Sequence, residues 1–298
     1  MKTVLVTGFN GFIGSNLIPE LQKIFHVVGI SNSKSSKIHI TQIKQNISKI
    51  NEKHLPRKIS TIIHLAAISD VDFCQNNPDK VFETNIQGTH KILEIARKKD
   101  SDVIFMSTSH VFGKTTKIKI KENQNKNPLS LYAASKLSGE VMCQSYANSY
   151  GLNIGIVRLF SLYGPNAPKH SVTYNIIQQI LNKQTIKLEN ICAKRDFFYI
   201  KDAVDAILLV MKKNRGFNDY NVGSGKSHSL LQICTKLKKI SKKNIPIRTI
   251  KTKIKRNEPD ELISNSIKIK KLGWKPKMNI DEGLKMTYLW YLEKSNQN

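Results

Sequence analysis

Tyr132 and Lys136 stand four residues apart in "LYAASKLSGE", a spacing that places both side chains on one face of a helix. A tyrosine at its ordinary pKa of about 10 exchanges protons poorly at neutral pH. An ammonium within a few ångströms favours the phenolate, which makes the pair a candidate acid–base device. Alone, this spacing also describes many surface helices. Thr108 in "MSTSHVFG" gives it company. It ends an apolar run, and a hydroxyl at the carboxyl end of a buried strand can hold a substrate oxygen beside Tyr132.

A second group of residues has the spacing of an anion site. "TGFNGFIG" sets Gly8, Gly11 and Gly14 three residues apart, between an apolar run and a helical pattern. In that context Gly8 permits a tight turn and Gly11 admits a pyrophosphate close to the backbone. Gly14 allows close helix–strand packing, and the helix N-terminus faces the anion. "GSGKS" at 223–227 resembles the end of another phosphate loop, but Tyr220 stands where that motif needs glycine. It reads as a turn before a helix at Leu230.

These residues need a frame, and the first half supplies one by alternation. "KTVLVTG", "HVVGIS", "STIIHLAA", "DVIFMSTS" and "NIGIVRLF" read as strands, separated by helical stretches that include 80–99 and 131–150. Strands apolar almost throughout, alternating with helices, form a parallel sheet buried on both faces. The predicted fold is α/β, a doubly wound parallel (Rossmann) sheet over residues 1–165, with a segment near 200–222 returning to it. Residues 166–298 mainly form a smaller, irregular α/β substrate domain, with helices over 203–213 and 281–291.

Composition narrows the function classes. Forty-eight basic and 22 acidic residues give the 298-residue chain a net charge of +26. Only seven of the basic residues are Arg, and Ile and Asn are also abundant, the pattern of AT-rich codons. The densest run, "KLKKISKKNIPIRTIKTKIKR", has no aromatic residues to stack bases. Nucleic acid is therefore not the expected partner, although a positive surface steers anionic substrates. No apolar run reaches the roughly 18 residues of a membrane span. The N-terminus reads as a strand rather than a signal peptide. Cys74, Cys143, Cys192 and Cys234 are widely separated, which favours neither a disulfide framework nor a metal site and suits a reducing cytoplasm.

The ordered set TGFNGFIG, HLAA, Asn85 before IQGTHKILEIAR, STSHVFG, YAASK, RLFSLYGP, RDFFYIKDAVDA, NVGSGK and LGWKP resembles the extended short-chain dehydrogenase/reductase family, in its nucleotide-sugar epimerase/dehydratase/reductase branch. The resemblance runs nearly end to end. It implies a catalytic triad of Thr108, Tyr132 and Lys136, the last also binding the nicotinamide ribose. It places the cofactor against Gly8, Asn10, Gly11, Phe12, Ile13 and Gly14, against Asn46 and Ile47, and against the strand end Leu65, Ala66 and Ala67. Asn85 helps shape the site, and Arg195 and Arg256 hold the substrate diphosphate. A homodimer through the helices 80–99 and 131–150 is expected, with surface-polysaccharide precursor synthesis as the pathway.

Three departures refine the expectation. An acid at the end of the second strand would accept hydrogen bonds from the ribose hydroxyls of NAD and repel the extra phosphate of NADP. Here Ser31, Asn32, Ser33 and Lys34 occupy that region, which favours NADP(H), with NAD the alternative. Ser109 and His110 replace the Asp–Glu pair that 4,6-dehydration uses to protonate the leaving oxygen and take the C5 proton. They are instead expected to shape the sugar pocket. Ser161 stands where many relatives have a substrate-contacting Asn. The expected reaction is NADPH-dependent reduction of a nucleotide-linked 4-keto-6-deoxy sugar. The alternative is a nucleotide-sugar 4-epimerase with tightly bound NAD, and a non-catalytic NADP-binding regulator is a third reading.

Overall fold

The computed structural model describes residues 1–115, 119–250 and 261–296. Its centre is a seven-stranded sheet of β1 (Thr3–Thr7), β2 (His26–Ser31), β3 (Thr41–Lys44), β4 (Thr61–His64), β5 (Asp102–Thr108), β7 (Ile154–Leu159) and β12 (Phe217–Val222). The order is β12-β7-β5-β4-β1-β2-β3, and every pairing is parallel. The order reverses between β1 and β4, the position where open α/β sheets form a ligand crevice beyond their carboxyl ends.

Successive side chains of a strand point to opposite faces, and both faces of this sheet are buried. Val4, Val6, Ile63, Ile104, Met106 and Val157 join one core with Leu17, Ile18 and Leu21 of α1 (Phe12–Gln22) and Ile207 and Val210 of α7 (Ile200–Lys213). Leu5, Ile62, Val103, Phe105, Ile154 and Ile156 join the other with Ile92, Leu93 and Ile95 of α4 (Gly88–Lys99) and Cys143 of α5 (Leu131–Tyr150). This two-sided burial is why the strands carry nearly continuous apolar runs.

Helix α5 starts at Ser130, whose hydroxyl accepts from Ala133 N, and ends at Gly151 in a left-handed conformation. The helical stretch expected over 80–99 is divided. Short helices α2 (Val71–Asn76) and α3 (Pro78–Val81) lead into a π-helical turn at Phe82–Gln87 before α4 begins. The α7 helix and β12, from the segment expected to return, lie with the central sheet.

The rest of the chain pairs distant short strands. β6 (Lys119–Ile120), β10 (Lys194–Arg195), β13 (His228–Ser229) and β15 (Glu261–Ser264) form a sheet in the order β13-β10-β15-β6. β8 (Ser161–Tyr163) pairs with β11 (Phe197–Tyr199), and β9 (Ile186–Leu188) with β14 (Ile247–Thr249). Helix α8 (Leu230–Ser241) packs between α6 (Val172–Leu181) and α10 (Ile280–Ser295), and α9 (Ile267–Lys271) packs on β12. β6, from the first half of the sequence, therefore joins strands of the second.

One carboxylate ties these strands together. Asp196 is fully buried between β10 and β11. Its Oδ1 accepts from Ser224 N (2.8 Å) and Ser224 Oγ (2.5 Å), and its Oδ2 from Gly225 N (3.0 Å), Ser264 N (2.9 Å) and Ser264 Oγ (2.6 Å). The GSGK turn thus donates to a protein carboxylate, which explains its glycine- and serine-rich sequence without a phosphate. Replacing Asp196 with Ala leaves these buried donors unpaired and is expected to lower unfolding stability by about 3–5 kcal/mol. Urea unfolding followed by circular dichroism measures this; a loss under about 1 kcal/mol would remove Asp196 from this role.

Candidate active site

The crevice at the sheet reversal is a cavity of about 720 Å³, within the usual size for a small-molecule site. Its floor is the glycine loop. Gly8 has φ +66°, and a Cβ there would lie 2.9 Å from the backbone N and Cα of Ala66. At Gly14 a Cβ would run into the Phe9 carbonyl. These two positions explain the outer glycines of the motif: the first lets the loops after β1 and β4 approach, and the second lets α1 start against the loop. The N-cap of α1 is Gly11, which provides no side-chain cap, and the first turn has no acidic residue. The free amides there suit an anion.

Of the residues expected at a cofactor, Gly8, Asn10, Gly11, Phe12, Ile13, Gly14, Ser31, Asn32, Asn46, Ile47, Leu65, Ala66, Ala67, Tyr132 and Lys136 line this cavity, as does Thr108. Lys34 does not. Asn10 clamps the chain before it: its amide donates to the Ser33 carbonyl (3.1 Å) and hydroxyl (2.9 Å), while its Oδ1 accepts from Ser31 Oγ (2.7 Å). Lys34 follows that clamp and is exposed.

Asn85 is buried behind the wall rather than on it. Its Oδ1 accepts from Ile68 N (2.8 Å), and its amide donates to Ile68 O (3.0 Å) and Ser135 Oγ (2.9 Å). It therefore pins the loop after β4 to α5, and it sits in the π-helical turn, a distortion often found at functional sites. A polar chain reaches it from β1. Thr7 Oγ1 accepts from Ala66 N (3.1 Å) and contacts His64 Nδ1 (2.7 Å), and His64 Nε2 lies 3.1 Å from Thr89 Oγ1. Thr89 donates to the Asn85 carbonyl (2.6 Å), so its oxygen is free to accept and the His64 hydrogen belongs on Nε2. Burial, with the charge of Lys136, pushes the His64 pKa down to about 3, which keeps the imidazole neutral.

The three residues expected at the reaction centre converge from two elements. Thr108 ends β5, and its Oγ1 accepts from His110 N (3.2 Å), leaving the hydroxyl hydrogen to donate. Tyr132 lies in the first turn of α5 with the His110 ring edge-on at 6.2 Å between centroids. Lys136, one turn on, is 4% exposed, with its Nζ 4.4 Å from the centre of the Phe105 ring. It makes no carboxylate ion pair among the described residues.

Burial pushes the Tyr132 phenol up to about 12, and the Thr108 hydroxyl works against that shift. Burial also pushes Lys136 down to about 8, against the opposing fields of Cys143 and Glu140. The expectation that Lys136 depresses the tyrosine pKa is therefore not met in this geometry. The ammonium sits over Phe105, and the hydroxyl of Thr108 is the group that favours the phenolate.

The residues expected at the substrate are less assembled. After Thr108 the chain turns into a 3-10 helix at Ser109–Phe112; Ser109 is buried, and only the His110 ring reaches Tyr132. Ser161 donates its backbone N–H to Asp196 O (3.0 Å), and its neighbour Leu162 lines the cavity. Arg195 lies on β10 away from the cavity wall, with Nη1 donating to Lys194 O (2.9 Å). Arg256 lies outside the described residues.

Sequence reasoning passed over Phe160, Leu162 and Pro168, which line the cavity, because apolar residues in loops and short strands carry no chemical signature. It also passed over Thr7, although the run T-G-F-N-G places a hydroxyl immediately before the loop.

The residues fit a dinucleotide. A cradle that a Cβ would fill, uncapped helix amides and a buried ammonium facing the cavity match a pyrophosphate and a ribose. No cluster of His, Cys, Asp and Glu among the described residues suits a metal.

Comparison with known proteins agrees with this geometry. The family model described as GDP-mannose 4,6 dehydratase matches residues 5–287. An uncharacterized UDP-glucose epimerase of Bacillus subtilis is 32% identical over 80% of this chain and 82% of its own. The structure of UDP-glucuronic acid 4-epimerase from Bacillus cereus, solved with UDP-glucuronic acid and NAD, superposes with a TM-score of 0.91 at 28% identity, covering 98% of this chain and 99% of that one. UDP-N-acetylglucosamine 4-epimerase from Methanobrevibacter ruminantium, solved with UDP-N-acetylmuramic acid, gives 0.92 at 27% identity, with the same coverage. The chain belongs to the GDP-mannose 4,6 dehydratase family, the extended short-chain dehydrogenase/reductases that include the NAD-dependent nucleotide-sugar epimerases and dehydratases.

Proposed function

We propose that this enzyme is a nucleotide-sugar 4-epimerase of the UDP-hexose type that retains NAD through the catalytic cycle. The observation that carries the reading is the composition of the cavity wall around Thr108 and Tyr132. Among the described lining residues the one carboxylate is Glu83. Its Oε1 accepts from Ser48 Oγ (2.9 Å) and Asn46 Nδ2 (3.2 Å). A 4,6-elimination needs an acid at the leaving oxygen, and none stands there. The lining cations are Lys80 and Lys136, neither of them on β2. The preference for NADP(H) keeps the absence of an acid at Ser31 and Asn32 but loses Lys34 as a phosphate-binding cation, and the structural relatives solved with NAD weigh against it. The keto-sugar reductase reading rested in part on that preference and is weakened with it.

NAD, when bound, supplies an acceptor that takes the C4 hydrogen as hydride and returns it. The protein manages the C4 oxygen. Thr108 donates to that oxygen the hydroxyl hydrogen that otherwise goes to Tyr132. Tyr132 takes the hydroxyl proton as the 4-keto sugar forms, then gives it back after the ring has turned its other face. Burial raises the phenol to about 12, which makes its phenolate a strong base for the forward step, and the Thr108 hydroxyl, which works against that rise, favours the phenolate. Arg195 and Arg256 are the proposed holders of the diphosphate, as guanidinium groups suit phosphate oxygens.

The homodimer is part of the proposal. Leu131, Val141 and Tyr150 remain 38%, 59% and 54% exposed on α5, leaving apolar surface where the family resemblance expects the partner. Light scattering is expected to give twice the chain mass, and Val141→Asp with Tyr150→Asp to halve it. A wild-type monomer would dismiss the contact.

Interconversion at C4 is expected with UDP-glucose, UDP-glucuronic acid or UDP-N-acetylglucosamine and no added nicotinamide nucleotide. Tyr132→Phe should slow it by about 10²–10⁴-fold while the bound nucleotide stays in place. Consumption of NADPH by a nucleotide-linked keto sugar, with no C4 interconversion, would overturn the epimerase in favour of the reductase.

A further inference from the structure

Tyr132 and Lys136 are two members of a row of three. Glu140 is the next residue at helical spacing on α5 and is 4% exposed. Its Oε1 accepts from Ser107 Oγ (2.5 Å) and Arg158 Nε (2.7 Å), and its Oε2 accepts from Arg158 Nη2 (2.8 Å). Ser107 immediately precedes Thr108 on β5, and Arg158, 1% exposed, comes from β7. Beyond it, Arg158 Nη2 lies 2.8 Å from Asp219 Oδ2 on β12, and Lys268 Nζ on α9 lies 3.0 Å from Asp219 Oδ1. Charges therefore alternate from the cavity outward: Lys136, Glu140, Arg158, Asp219, Lys268.

We propose that Glu140 is a positioning residue of the active site: its carboxylate locks α5 to the Ser107–Thr108 end of β5, and its negative charge supports the Lys136 ammonium one turn earlier. The inference rests on the nucleotide-sugar epimerase reading only for the use to which the ammonium is put. A helix could be seated on a sheet by apolar packing alone, and Gly139 against Phe105 already does so here. A buried ion pair adds little net stability over such packing. What apolar packing cannot provide is a fixed negative charge behind a buried amine.

The surroundings of Lys136 make that charge matter. From α5 the amine is faced by Cys143 and Glu140, from β4 by His64 and from β5 by the Phe105 ring, with Arg158 of β7 beyond Glu140; Thr108 and Cys74 act on Tyr132. His64 is neutral, and burial pushes the Cys143 thiol up, so it too is neutral near pH 7. Glu140 is the remaining anion. Burial lowers Lys136 to about 8 and Glu140 opposes that. Removing its charge lowers the value further, so the ammonium is lost at a lower pH and the alkaline limb of activity moves down with it.

The test is the titration of Lys136 itself, read by nuclear magnetic resonance of protein labelled with ¹³C at lysine Cε, the signal being identified by its loss in Lys136→Arg. Glu140→Gln is expected to lower the midpoint by about one unit, and the alkaline limb of kcat/KM by a similar step. Ser107→Ala, which removes a hydrogen bond but no charge, should leave the midpoint within about 0.3 unit. If Glu140→Gln does not fold, Glu140→Gln with Arg158→Met replaces the pair by neutral groups and is expected to show a smaller fall in the same direction, because the more distant positive charge of Arg158 is removed with the nearer carboxylate. An unmoved midpoint in the folded variant, or an equal fall in Ser107→Ala, would overturn the proposal and leave Glu140 a structural residue. The titration uses no substrate, so failure to turn over UDP-sugars would count against the epimerase reading and not against this one.

Discussion

The site depends on how closely α5 can sit on β5. Both partners of the reaction centre come from this contact, Thr108 from the strand and Tyr132 and Lys136 from the helix. Gly139 presses its backbone on the Phe105 ring, and the same ring carries the Lys136 ammonium 4.4 Å above it. Any side chain at 139 would lift the helix and move Tyr132 away from Thr108. The buried Ser107–Glu140–Arg158 bonds fix the helix along the strand direction as well as above it, which apolar contacts, being non-directional, do less well.

The second constraint is the near contact of the loops after β1 and β4. Gly8 brings them together, and the Thr7–His64–Thr89–Asn85 chain holds them there. Asn85 then reaches Ser135, one residue before Lys136. The cofactor cradle and the catalytic helix are thus mechanically joined through buried polar groups, all of which find partners, as their burial requires.

Much of this was legible in the sequence because it follows from period and spacing. Continuous apolar runs gave the parallel sheet, the Tyr–Lys spacing fell in a helix read over 131–150, and the glycine triplet marks the loop. Other parts carry no such signal. β3 is a short edge strand in a polar stretch, and 40–44 alternates too weakly to announce it. β6, β10, β13 and β15 are short strands whose pairing is fixed across the chain by Asp196, a partnership no local pattern reveals. Lys34 looked like a phosphate-binding cation because only its place in the sequence was visible, whereas the Asn10 clamp sends it outward. Glu140 was visible in "SKLSGE" all along, but a third residue at helical spacing gains meaning only once Ser107 and Arg158 are seen to meet it. The substrate side stays least legible, since it is built from loops whose lining is apolar.

The chemistry reduces to where the nicotinamide nucleotide goes between turnovers. An epimerase returns its hydride to the same substrate and gains by holding the nucleotide, while a reductase must release it each time. The most direct measurement is therefore the nucleotide freed when the freshly purified protein is denatured, identified by mass spectrometry and counted per chain. Close to one NAD per chain is the predicted result. A protein that releases none, or yields NADP, would contradict the account.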